Sequence, residues 1–198
     1  MKRICAALVT IAILGGTLQA AVAEDDTYAP IRAKLKTCTT CHGDKGASTL
    51  PQYPILAGQQ MYYMYVQLKD FKANRRKDPI MSVIAGTLDK DEMKLLTTYF
   101  SEQQWPKTDG KVTVSKEQQH KAERMAGSAE CTACHLGGYK GNSRVPRLGG
   151  QHHDYLLKTM LDLKYKRRTN VPFMTSLLAT FDDDDIKAMA QYLASLHD

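Results

Sequence analysis

The sequence predicts an all-α chain built as two copies of one small helical domain. Three observations carry this. No stretch alternates apolar and polar residues as a half-buried strand would. Apolar residues recur instead at helical spacing. Ile186, Met189, Ala190 and Leu193 form an i, i+3, i+4, i+7 stripe, and Met93, Leu96, Thr97 and Phe100 follow a similar period. The chain also repeats itself once. Cys38 maps to Cys131 at an offset of 93, and Pro54 to Gln59 maps to Pro146 to Gln151 at 92. Tyr63 then matches Tyr155, Arg75-Arg76 matches Arg167-Arg168, and Tyr99 matches Tyr192. A duplication of this length implies two domains of one fold.

The chain opens with Met1-Lys2-Arg3, runs uncharged from Ile4 to Ala23 and turns acidic at Glu24. A basic start, an apolar run and Ala21-Val22-Ala23 read as a cleaved signal peptide over residues 1–23. The competing reading is a retained anchor, because the run approaches spanning length. Gly15-Gly16, Thr17 and Gln19 count against it. Cys5 leaves with the leader, too far upstream of the cleavage site to be a lipidated first residue. Loss of Lys2 and Arg3 lowers the formal charge from +6 to +4, too slight a balance to call for nucleic acid. No other uncharged run reaches spanning length, so the mature protein is expected to be soluble.

The first domain is placed at 24–104. A helix from about Tyr28 runs into the first cysteine motif, a loop rich in Gly and Pro follows from Gly43 to Gly58, and a second helix covers about Gln59 to Arg75. A third helix starts at Asp89, an N-cap residue followed by Lys90, Asp91 and Glu92. Pro106 and Gly110 break any helical period, so 105–114 is read as a linker. The second domain, 115–198, opens on Ser115-Lys116-Glu117-Gln118, a capping-box pattern. Its second helix covers about Gln151 to Lys166, and its third begins at Asp182. The Asp182–Asp185 run is a helix start, since acids are favoured there. The basic run Lys164 to Arg168 reads as a solvated helix end.

Two five-residue stretches carry the chemistry: Cys38-Thr39-Thr40-Cys41-His42 and Cys131-Thr132-Ala133-Cys134-His135. Each is Cys-x-x-Cys-His, the attachment signature of a c-type haem. Two thiols add across the two porphyrin vinyl groups, and the adjacent histidine lies under the iron. Zinc ribbons set their cysteine pairs about 15–20 residues apart, whereas these lie in opposite halves. A thioredoxin-like pair needs neighbouring strands, and structural disulfides explain no histidine at the same place twice. The expected cofactors are therefore two covalently bound haem c groups. All four cysteines of the mature chain are used by them.

The other axial position is assigned by the repeat. Of nine methionines, Met61 aligns with His153, Met64 with Leu156, Met160 with Leu68, Met93 with Ile186, Met189 with Leu96 and Met125 with Arg32. Only Met81 and Met174 coincide, each 39 positions after its haem histidine. They are read as thioether ligands opposite His42 and His135, the alternative being equivalent core methionines. His/Met ligation raises the reduction potential. It also fills both axial positions, which argues for electron transfer over turnover. His120, His152, His153 and His197 do not repeat and read as surface residues.

The motifs together resemble the dihaem cytochromes c4. The matching stretches are Cys38 to Gly43, Pro54 to Gln59, Tyr63 to Phe71, Met81-Ser82-Val83-Ile84-Ala85, Asn170 to Met174 and Asp185 to Leu193. The resemblance covers essentially the whole mature chain. It implies two class I cytochrome c domains related by a pseudo-twofold axis, each wrapped around one haem. It implies haem attachment at Cys38, Cys41, Cys131 and Cys134 and iron ligation by His42, Met81, His135 and Met174. It implies a periplasmic electron carrier, not an enzyme, working between respiratory complexes. Its expected partners are redox proteins: a quinol-oxidising complex or a dehydrogenase as donor, a terminal oxidase as acceptor. A monomer is expected, with peripheral membrane association left open. Two competing functions are a dihaem peroxidase, which the repeated methionine opposes, and an electron-accepting subunit of a periplasmic dehydrogenase, which uses the same cofactor chemistry. Two positions depart from the pattern: Leu136 stands where the first motif has Gly43, and Gly149 where the first loop has Ala57.

Overall fold

The computed structural model describes residues 26–107 and 112–197. The leader and the centre of the linker lie outside the described residues. In the first half, α1 (Arg32–His42), α2 (Met61–Lys72), α3 (Met81–Gly86) and α4 (Lys90–Ser101) follow a 3-10 turn at Ala29–Ile31. In the second come α5 (Lys116–Ser128), α6 (Cys131–His135), α7 (His153–Lys164), α8 (Pro172–Leu178) and α9 (Asp183–Ser195). Among the described residues the only β pairing is an isolated bridge between Asn142 and Val145.

Three of the long helices, α4, α5 and α9, start where the sequence places them and for the expected reason, whereas α1 starts at Arg32 after the 3-10 turn and α2 and α7 start at Met61 and His153, two residues later than read. Asp89, Ser115 and Asp182 each accept from the N3 backbone N–H while the N3 side chain returns to the cap, closing three capping boxes. The apolar stripe of α9 is fully used: Ile186, Met189, Ala190 and Leu193 are buried against α5 and α7. In the first half Ile31, Leu88, Met93 and Leu96 form the equivalent core, with α4 packed on α2 and on the 3-10 turn.

Two features differ from the sequence reading. Each half carries an extra short helix, α3 and α8, beginning at or just before Met81 and Met174. Six or seven residues are too few to show a helical period. The haem motif of the second half also stands apart. In the first half α1 runs unbroken into His42, whereas α5 stops at Ser128 and Glu130 turns through φ 49 before α6.

The halves pack through one face, and the contact maps onto itself when they are exchanged. Gln59 donates from Nε2 to Arg147 O (2.9 Å) and accepts at Oε1 from Arg147 N (2.8 Å). Gln151, its equivalent, donates to Ile55 O (3.0 Å) and accepts from Ile55 N (2.9 Å). Ile55 and Arg147 are themselves equivalent. The next residues repeat the pattern: Gln60 donates to Lys140 O (3.1 Å), and His152 Nε2 donates to Ser48 O (2.9 Å). Reciprocal contacts of this kind define a twofold relation. They also give half-buried His152 an inter-domain partner that its sequence position did not suggest.

Candidate haem sites

The attachment motif sits at the C-terminal end of α1 and on α6. In a helical turn, cysteines three positions apart lie on one side, and the histidine follows on the next step. His42 and His135 are both only 7% exposed. Burial pushes both imidazoles below their ordinary pKa, partly offset by a proline carbonyl. His42 Nδ1 donates to Pro54 O (2.8 Å), and His135 Nδ1 donates to Pro146 O (2.9 Å). Each bond fixes the tautomer and leaves Nε2 as a free, oriented donor, the outer support a ligating histidine requires. None of these cysteines is in a disulfide; Cys38, Cys41 and Cys131 are half-buried and Cys134 is exposed. Burial raises the Cys38 thiol to about 11.

The structure brings the second-half residues together. Cys131, His135 and Met174 line one cavity, walled by Tyr139, Leu148, Met160 and Leu193 among others. A buried imidazole and a thioether on one apolar wall are the donor set and surroundings of a His/Met-ligated haem iron. Met174 reaches it from the first turn of α8, which packs on α7. Met81 is half-buried at the start of α3, which packs on α2. Asp78 holds that start by accepting from the backbone N–H of Ile80 (3.0 Å) and Met81 (2.9 Å). No three His, Cys, Asp or Glu side chains gather as a metal cluster among the described residues, so the two cysteine pairs do not form one zinc site.

The domain boundary holds two guanidiniums that no carboxylate contacts directly, the nearest acid of their network being Asp70, reached through Asn170. Arg76 donates to Gln67 Oε1 (2.9 Å) and Tyr155 OH (3.2 Å). Arg168, 8% exposed, donates to Gln67 Oε1 (2.9 Å) and Asn170 Oδ1 (2.9 Å). Neither forms an ion pair among the described residues. Burial pushes the Tyr155 phenol up, but the charges of Arg76 and Arg168 outweigh it and bring it down to about 7. The region carries excess positive charge and suits a ligand bearing carboxylates, as haem does. The solvated reading of the basic run is therefore corrected at its end. Arg168 is drawn inward because, like Arg76, it finds one of its oxygen partners across the interface. The signal was present in the sequence as paired arginines and tyrosines at equivalent places in both halves.

Leu136 follows the second motif at φ 60, ψ 178, where Gly43 has φ 76, ψ 169. That region is essentially restricted to glycine, and another residue there costs roughly 1–3 kcal/mol. Leu136 is 42% exposed, so its burial returns little. Leu136→Gly is expected to raise stability by about 1 kcal/mol in urea denaturation of the haem-loaded protein. No gain, or a loss, would show that the leucine contacts offset the strain. At the other departure the reason is steric. A Cβ at Gly149 would lie 2.3 Å from the Gly138 carbonyl oxygen, so the alanine of the first loop does not fit here.

A scan against models of protein families finds no match. Individual relatives do match over nearly the whole chain. Cytochrome c4 of Azotobacter vinelandii is 31% identical over 96% of this chain and 99% of its own length. The chain belongs to the cytochrome c4 family. The crystal structure of reduced recombinant cytochrome c4 from Pseudomonas stutzeri superposes with a TM-score of 0.75 at 30% identity, covering 83% of this chain and 96% of that one. A further relative, from Stutzerimonas stutzeri strain A1501, is named a thiosulfate dehydrogenase electron acceptor. It is 29% identical over 99% of this chain and 97% of its own length. The fold is thus a tandem pair of class I cytochrome c domains. The protein is a dihaem c-type electron-transfer cytochrome with two covalently bound haems and redox proteins as partners. Among the described residues no helix is long and apolar enough to cross a membrane.

Proposed function

We propose that this cytochrome c4 relative is a periplasmic carrier moving electrons between respiratory complexes towards a terminal oxidase, without catalytic turnover of its own. The observation that carries the reading is the shared cavity of His135 and Met174, with His42 and Met81 at the equivalent sequence positions of the first half. In this assignment Cys38, Cys41, Cys131 and Cys134 would hold the haems by thioether bonds, and His42, Met81, His135 and Met174 would ligate the iron. Bound haem supplies reversible one-electron exchange at its iron. The Pro54 and Pro146 carbonyls orient the two imidazoles. The methionines, as thioether ligands, would keep small oxidants off the iron and favour its reduced state. Tyr63 and Tyr155, which lie beside Arg76 and Arg168, would with them hold the haem propionates and neutralise their charge. The apolar walls keep water from the cavity.

The assignment includes a leader at 1–23, domains at 24–104 and 115–198 and a monomeric mature protein. Intact-mass measurement on protein from a haem-maturing host is expected to show a chain beginning at Glu24 plus two haems. One haem, or none, removes the corresponding cysteine assignment.

A second reading is an electron-accepting subunit of a periplasmic dehydrogenase. Similarity over nearly the full length to the relative named a thiosulfate dehydrogenase electron acceptor favours it. Purification from native periplasm and membranes separates the two. A dehydrogenase in fixed ratio selects the subunit, and kinetic reduction of an oxidase without such a partner selects the carrier.

A further inference from the structure

We infer that the cleft between the C-terminal turns of α2 and α7 binds a polyvalent oxoanion bridging the two domains. The cleft encloses about 540 Å³ and is lined by Arg75, Lys77, Lys166 and Arg167, with Asn74 and Thr169 between them. Each half supplies two cations, through loops that match. Both leave their helix by a left-handed residue, Asn74 at φ 56 and Lys166 at φ 57.

The local acids pair with the two arginines and leave the two lysines without an ion partner among the described residues. Asp70 accepts from Arg75 Nε (2.8 Å), and Asp162 accepts from Arg167 Nε (2.6 Å), which orients both guanidiniums. Asp70 is also engaged by Asn170 (2.7 Å), and Asp162 by Lys158. Asp78 is committed to the start of α3. Lys77 and Lys166 are exposed and make no ion pair among the described residues. Two ammonium groups therefore face the cleft unmatched, beside two oriented guanidiniums.

The shape and chemistry select the ligand. The volume lies within the roughly 300–1,000 Å³ of small-molecule sites. Apart from Pro172 the lining is polar or charged, so an apolar ligand gains little. Arginine forks and lysine ammonium groups favour oxoanions over halide, because several oxygens can be met at once. Arg76 and Arg168, the residues assigned to the haem propionates, turn into the interface, whereas their neighbours Arg75 and Arg167 line the cleft. The inference goes beyond the electron-carrier reading, and its test uses neither potentials nor partners.

The probe is sulfate, titrated calorimetrically into the oxidised dihaem protein, with chloride at matched ionic strength as control. One saturable site per chain is expected. Lys77→Gln with Lys166→Gln is expected to weaken it by about tenfold or more, the scale of losing two charge-assisted contacts. Lys116→Gln, on α5 and remote from the cleft in sequence, is expected to leave affinity unchanged. Saturating sulfate should also raise the unfolding temperature of the wild type and not of the double variant. Absence of a saturable site, an equal response to chloride, or unchanged affinity in the double variant overturns the inference. The first of these results means that the cleft charge is neutralised by the haem propionates or serves only an acidic protein surface.

Discussion

Replacing Met174 by histidine is expected to lower the potential of one haem by on the order of 0.1 V or more, within the ~0.8 V that axial ligands span. The cause is electronic. A thioether is neutral and a weak donor, so it favours the ferrous state; imidazole donates more strongly and favours ferric iron. Met174 lies in the first turn of α8, on the wall that His135 shares. The substituted imidazole keeps the iron six-coordinate, so the change is read in the potential and not in lost haem. Met81→His should do the same to the other haem through α3. Spectroelectrochemical titration measures both, and the sulfur-to-iron near-infrared band of the oxidised protein should fall by half in each variant. Unchanged potentials and an unchanged band in either variant would remove that methionine from the ligand set.

Gln151→Ala is expected to destabilise the contact between the domains by about 2–4 kcal/mol, because each buried backbone group left unpaired costs about 1–3 kcal/mol. Gln151 is 3% exposed and satisfies both the N–H and the carbonyl of Ile55. Gln59→Ala removes the reciprocal pair to Arg147 and should cost a similar amount. The double variant is expected to unfold in two urea transitions where the wild type shows one, since the halves no longer support each other. Electron equilibration between the haems, expected to be intramolecular in the wild type, should slow and come to depend on protein concentration in stopped-flow experiments. A cost below about 0.5 kcal/mol for Gln151→Ala, with one transition retained in the double variant, rules out the glutamine pair as the clasp.

The repeat made much of this legible. Cysteine and histidine spacing is local chemistry: the porphyrin dictates it, and it reads directly from Cys38 to His42 and from Cys131 to His135. Caps are equally local, which is why Asp89, Ser115 and Asp182 start their helices as their side chains predict. Duplication did what a single copy could not, by isolating Met81 and Met174 from seven other methionines. The short helices that carry them were not legible, because six or seven residues show no period.

What the sequence by itself determined is the helical class, the two-domain duplication and the two haem-attachment signatures. Each follows from spacing within a few turns of chain or from matching one half with the other. Only the tertiary structure decided how the halves meet. Gln59 and Gln151 are polar residues that any sequence rule places in water, yet both are buried, because each finds a backbone N–H and C=O on the opposite domain. Arg168 leaves the solvated end of α7 for the same reason. A polar side chain is buried when its partners exist, and those partners lie 88 to 101 positions away in the chain. No local pattern encodes such a pairing.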